Sequence, residues 1–238
     1  MSKNETRKLR THGVTRQAIK SATTRARIID ATVRCLVKYG YARTTTLKVA
    51  EEADVSRGAM MHHFENAAAL IYATAEELHQ RRLKSHVRRA KEFDHQQTSK
   101  IVHQSWDQFT SPNFTAFLEL AMAARTDQNL ASILLPLQRE YSERWYRQAI
   151  ELYPEWEDAT EEFDLAFSLS QITLQGMALA LVTESMSQKM IEPVLRNLEK
   201  QILNLRATSA ARRADPPASP NIEPATVAVS RKSSRDKT

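Results

Sequence analysis

Thr44, Thr45 and Thr46, followed by Ser56, Arg57, Gly58, Ala59, Met61, His62 and His63, bring hydroxyls, a guanidinium and two imidazoles into one short stretch. Such groups exchange hydrogen bonds with phosphate oxygens and with base edges. They are a poor set for bond-making chemistry. His62 and His63, with Glu65 close by, invite a metal reading. Adjacent residues on a helix, however, point about 100° apart and do not converge on one ion. Six of the seven histidines fall between His62 and His103, yet no HExxH, cysteine cluster, glycine-rich phosphate loop or GxSxG occurs. The expectation is that the chain is not an enzyme, with no catalytic residue, no metal and no cofactor. Non-covalent recognition is the chemistry that remains.

Two short helices joined by a tight turn would position these groups. The first is predicted over about 46–53 with Thr45 as its cap, and the second opens at the cap Ser56 and runs to about His63. Val49, Ala50, Ala53, Val55 and Met60 sit where the two helices would pack. Asp54 stands at the turn and tolerates a left-handed backbone better than most residues. The outer face of the second helix is left polar and small. A helix this short is no core element, but it fits the DNA major groove, which admits one α-helix.

Around it, a helix over about 25–39 carries the stripe Ile29, Val33, Leu36 and Val37, with Gly40 as its stop. A long helix follows from the cap Asn66 to about Phe93. Its C-terminal half holds His79, Arg81, Arg82, Lys84, His86, Arg88 and Arg89, read as a solvated face. Further helices are expected over about 99–110, 113–125, from the cap Asp127 through a kink at Pro136 to 152, over 160–186 and over 191–205. Gly176 lies mid-helix, where it costs about 1 kcal/mol in propensity that a close helix–helix approach would justify. From Ala207 the composition turns to Ala, Ser, Pro, Arg and Lys, the mark of a disordered tail.

Composition agrees with an all-α soluble protein. The chain has 238 residues, 42% hydrophobic and 26% charged, with four glycines and every proline at or after Pro112. Cys35 is the lone cysteine, which excludes an internal disulfide and reads as a small buried thiol. The start lacks the apolar core of a secretory signal. Residues 165–183 carry no charge over about a bilayer's span, but their serines, threonine and glutamines favour a buried or interface helix. Charge is uneven. Residues 1–64 hold 13 Lys/Arg against 5 Asp/Glu, a net +8, while residues 65–206 hold 15 against 20, a net −5. The recognition stretch therefore sits in the basic part, which points to a polyanionic partner. Residues 1–20 read as a flexible basic arm, with some helix near 15–21, that lies along phosphates, reaches into a minor groove or does nothing measurable.

The stretches ARIIDATVRCLVKYGYARTT and VAEEADVSRGAMMHHF, with the long helix after them, resemble the TetR family of bacterial transcriptional regulators over about residues 25–82. A weaker similarity continues through LELAMAARTDQNL. The resemblance implies an N-terminal three-helix DNA-binding domain with a helix-turn-helix, and a larger C-terminal helical ligand-binding and dimerisation domain. On that pattern the chain divides into an arm (1–21), the DNA-binding domain (22–82, motif 45–64), the body (83–206) and a tail (207–238). Ser56, Arg57, Gly58, Ala59, Met61, His62 and His63 match the recognition helix, and Thr44, Thr45 and Thr46 match the phosphate-contacting lead-in. Arg57 would read guanine, clamp phosphate or stay in solvent.

Two positions depart from the family pattern. Met61 replaces a common phosphate-binding Tyr, and Ala67 replaces a common Lys. The implied partners are double-stranded DNA bearing a near-palindromic operator, a second copy through about 160–205, and a small apolar or aromatic effector. No membrane is implied, and the location is the bacterial cytoplasm. Candidate pocket residues are Trp106, Phe109, Phe117, Met122, Trp145 and Met177. A ligand-independent DNA-binding or architectural regulator is the alternative, discriminated by whether the body holds a cavity of about 300 Å³.

Overall fold

A computed structural model describes residues 16–92, 98–156 and 160–214. The described residues form nine α-helices and no strand. Helix α1 spans Arg16–Tyr39, α2 Thr46–Glu52, α3 Arg57–His63 and α4 Ala67–Glu92. The body follows with α5 Thr98–Phe109, α6 Pro112–Ala124, α7 Gln128–Leu152, α8 Thr160–Val182 and α9 Ile191–Ala214.

Local chemistry sets most of these boundaries. Gly40 adopts φ 75° beyond α1, and its N–H closes on the Leu36 carbonyl at 2.9 Å. Thr45 accepts from the Lys48 N–H at 3.3 Å and Ser56 from the Ala59 N–H at 3.1 Å, so both expected caps are made. Asn66 caps α4 through Ala69 at 2.8 Å, and Asp127 caps α7 through Leu130 at 3.0 Å. Asp54 takes the left-handed conformation at φ 50°, as its place in the turn requires.

Ile28, Ile29, Cys35, Val49, Ala50, Met60, Phe64 and Leu70 bury one small core among α1–α4. Val33 and Leu36, on the other side of α1, belong to the larger body core with Trp106, Phe109, Phe117, Leu120, Leu134, Leu174 and Leu195. A third cluster gathers Leu83, Tyr141, Trp145, Trp156, Phe163 and Ala166. α1 thus packs on both the recognition motif and α6, and α4 runs from the first core into the body against α7.

Three expectations change. α1 begins at Arg16, not near 25, and its first three turns are almost wholly exposed, so part of the expected arm is helix. Residues 1–15 lie outside the described residues. α9 continues to Ala214, well past Leu205, because an Ala-rich segment propagates a helix already nucleated. The remaining tail, residues 215–238, lies outside the described residues. Finally, His79, Arg82 and His86 on α4 are not solvated but buried, at 5%, 8% and 8% exposure. Their covering residues on α7 lie some sixty positions away, out of reach of a local pattern.

Candidate nucleic-acid interface

The recognition stretch is built as two caps and a turn. Val55 N–H bonds to the Ala50 carbonyl at 3.0 Å across the turn, and Arg27 Nη2 donates to the Asp54 carbonyl at 3.3 Å. Arg34 Nε pairs with Glu52 at 2.6 Å, and its Nη2 reaches the Glu52 carbonyl at 3.1 Å. Two of the basic residues counted toward polyanion binding therefore hold α2 and the turn against α1. Lys48 lies 4.8 Å from the Tyr39 ring centroid and Arg25 5.0 Å from that of Phe64.

α3 buries only Met60, which anchors it in the small core. Ser56, Arg57, Gly58, Ala59, Met61 and His62 are exposed, and His63 is half-buried. The one-residue register is what matters here. Met60 faces inward, and Ala59 and Met61, each about 100° from it around the helix, are exposed. Arg57 makes no hydrogen bond or ion pair among the described residues and is available for a base edge or phosphate. Gly58 has open space where a Cβ would stand, the nearest atom being its own cap oxygen at 4.0 Å.

The three threonines separate chemically. Thr44 spends its hydroxyl proton on the Gly40 carbonyl at 2.8 Å, so it is left as an acceptor. Thr45 accepts from backbone and keeps its proton to donate to a phosphate, as does Ser56. Thr46 is half-buried at the first turn of α2. Arg16 and Lys20 are exposed on the first turns of α1.

The body holds a partly open cavity of about 120 Å³ among α4, α5, α7, α8 and α9. Its aromatic wall is Trp145, Trp156, Phe163 and Phe167, and His86 and Gln108 face it from α4 and α5. Of the six residues expected in a pocket, Trp145 alone lines it. Trp106, Phe109, Phe117 and Met177 are buried in the main core, and Met122 is 55% exposed on α6. Phe163 and Phe167 escape a sequence reading that treats the whole of α8 as an interface helix. Their i, i+4 aromatic spacing, just after Trp156, is the signal that could find them. At about 120 Å³ the cavity is smaller than typical ligand sites of ~300 Å³, and nearer the ~150 Å³ of an apolar cavity that takes benzene.

Next to it, burial first and then the Arg82 charge push the His79 imidazole down to about 4, against the opposing hydrogen bond that its Nε2 donates to Gln138 Oε1. The body is tied to α1 and the segment after it. Arg81 Nη2 pairs with Asp30 of α1 at 2.6 Å while its Nε holds Glu77 at 2.9 Å. Tyr41, just beyond α1, donates its hydroxyl to Asp127 at 3.2 Å and its N–H to Glu119 at 3.4 Å.

Known proteins share this arrangement. The family described as bacterial regulatory proteins, tetR family, matches residues 28–80. The HTH-type transcriptional regulator TtgR of Pseudomonas putida is 42% identical over 81 residues, covering 34% of this chain and 38% of that protein. An uncharacterised HTH-type transcriptional regulator of Mycobacterium bovis is 29% identical over 157 residues, 65% of this chain and 80% of its own length. The first of these matches thus spans well under half of its relative. Among solved structures, a TetR family transcription regulator from Marinobacter aquaeolei superposes with a TM-score of 0.58 at 15% identity, over 79% of this chain and 98% of that one. That likeness concerns the fold. Residues 28–80, which hold the helix-turn-helix and its polar α3 face, thus match the TetR family of bacterial regulatory proteins, and the all-helical body shares its fold with solved regulators.

Proposed function

We propose that the chain is a sequence-specific DNA-binding transcriptional regulator, acting as a homodimeric repressor that a small-molecule effector releases from a near-palindromic operator. The observation that carries this reading is α3. It is held by one buried side chain, Met60, and presents Arg57, Gly58, Ala59, Met61 and His62 outward. Ser56, Arg57 and His62 would read base edges, and Thr45 and Thr46 would contact phosphate, with Thr44 and His63 at the margins. The small Gly58 and Ala59 would let the helix backbone approach the groove. Exposed Arg16 and Lys20 would offset the phosphate contacts that Met61 and Ala67 do not make.

The second copy would dock on α8 and α9. Leu165, Ile172, Leu179 and Val182 of α8 are 48%, 70%, 43% and 69% exposed, and Gly176 meets nothing of its own chain within 4 Å. Glu161–Val182 is long and apolar enough to cross a membrane by length and composition, and 22% of its apolar window is buried. Its serines and glutamines, and its packing on α9, support a protein interface instead. Such a dimer would place its two α3 helices about one DNA turn apart, ~34–36 Å, when bound. An effector in the body would favour a spacing that no longer fits. The expected location is the bacterial cytoplasm, on the nucleoid when bound, and no cofactor is required.

The test is genomic footprinting with the purified protein, then anisotropy titrations on the recovered sites. Arg57→Ala combined with His62→Ala should weaken operator binding at least about tenfold, since a good bidentate base contact is worth ~1–3 kcal/mol. Unchanged affinity would remove the assignment of α3.

A further inference from the structure

His79, Arg82 and His86 recur at i, i+3 and i+7 and share one face of α4. Gln138, Tyr141 and Trp145 recur at the same spacing on α7. The fold sets the two rows rung against rung. His79 Nε2 lies 3.0 Å from Gln138 Oε1, and its ring stacks on Tyr141 with centroids 4.8 Å apart. Arg82 lies over the Tyr141 ring at 4.4 Å, with Phe117 at 5.1 Å and Phe114 at 5.7 Å. His86 stacks on Trp145 at 3.7 Å.

The middle rung is unbalanced. A guanidinium stays protonated in proteins, and Arg82 is 8% exposed, yet no carboxylate pairs with it among the described residues. Aromatic faces attract a guanidinium but accept no N–H bond in the way an oxygen does. Arg82 Nη1, the Tyr141 hydroxyl and His79 Nδ1 are all buried without a hydrogen-bond partner there. Trp145 Nε1 and Gln108 Oε1, on cavity residues, are in the same condition. Buried polar groups are rarely left so, and a buried cation least of all. Unpaired polar atoms thus run from the aromatic cavity to Arg82, one helical turn along α4, and three of them, Trp145 Nε1, the Tyr141 hydroxyl and Arg82 Nη1, are donors.

We propose that the body binds an organic carboxylate, its acid group received by Arg82 and the Tyr141 hydroxyl between α4 and α7, and its apolar part in the aromatic cavity. The cavity volume limits that part to about one ring without rearrangement. The site is closed in this arrangement, so the acid group reaches Arg82 only as α4 and α7 part. Arg81, the next residue, holds Asp30 of the DNA-binding domain. Filling the site would therefore act on α1, which packs on the motif. That last consequence rests on the regulator reading; the binding itself does not.

Full-length protein is titrated with benzoate, phenylacetate and 1-naphthoate, with their primary amides, and with sodium chloride at matched ionic strength. Calorimetry and intrinsic tryptophan fluorescence report binding. The acids should bind at least about tenfold more tightly than the amides, as loss of a charge-assisted hydrogen bond implies. Chloride should not compete. Arg82→Met should abolish the preference for the acid, and Arg82→Lys should keep part of it. Tyr141→Phe, which keeps the ring, should lower the preference severalfold and serves if Arg82→Met does not fold. Equal binding of acids and amides, binding of neither, displacement by chloride alone, or full preference in both the Arg82→Met and Tyr141→Phe proteins would overturn the site. Repeating the titrations with operator DNA separates the two readings. Acid binding through Arg82 without any change in operator affinity would retain the site and defeat effector release. Operator release by the amides alone would retain the regulator and defeat the site.

Discussion

At the scale of single residues, Gly58 separates stability from recognition. It lies in the first turn of α3 with open space around its Cα hydrogen. Gly58→Ala should stabilise the fold by about 0.5–1 kcal/mol through backbone entropy, read as a small rise in melting temperature. On the proposed docking of α3 the added methyl would stand on the groove-facing side, and operator affinity should then fall in the same protein. His79 gives a pH signature. Its folded pKa of about 4 lies below the ordinary 6.5, so the unfolded chain binds the extra proton first. Stability should decline as pH falls from about 6.5 toward 4, by roughly 3 kcal/mol at most. His79→Leu should flatten that part of a urea-denaturation pH series. Local roles are legible from sequence: the caps Thr45, Ser56, Asn66 and Asp127 each accept a backbone N–H within their own turn, and Asp54 takes the φ its turn requires, whereas the bond from the Tyr41 hydroxyl to Asp127 is not legible. Arg82 is not legible, because a run of cations on a helix looks the same whether water or Tyr141 lies over it.

At the scale of elements, α1 and α4 do more than their amphipathic stripes disclose. The stripe of α1 locates its buried part, but a basic, polar segment such as 16–24 has no apolar period from which to read a helix, and its helicity follows from continuity with the packed turns beyond Ile28. Removing residues 1–20 takes away Arg16 and Lys20 together with the basic residues before them. Operator affinity should fall, and the slope of log K against log salt should become shallower by about one unit for each phosphate that the shortened chain no longer neutralises. α4 meets the DNA-binding domain through Arg81 and Asp30, a pair that is 30% and 45% exposed. Breaking it with Asp30→Asn should cost no more than about 1 kcal/mol of stability. Its expected effect is on communication: an effector should still bind, with its influence on operator affinity reduced.

At the scale of the whole molecule, the division of charge and of apolar surface is visible in the sequence, since both are sums over long segments. The basic N-terminal part carries α3, and the uncharged run becomes α8 with its apolar face uncovered. The cavity is not visible there, because it forms where α4, α5, α7, α8 and α9 converge and no single stretch encodes it. Ile172→Glu, at the most exposed large apolar position of α8, should convert a dimer to monomers in sedimentation velocity and should lower operator affinity with it. The same face has a genetic consequence. α8 lies far along the chain from α3, so a copy carrying Arg57→Ala would still pair with an unaltered one. In a cell expressing both, most of the good chains would be locked into mixed pairs with one working reading head. Lesions in α3 should therefore be dominant over the normal allele, whereas lesions that abolish pairing at α8 should be recessive.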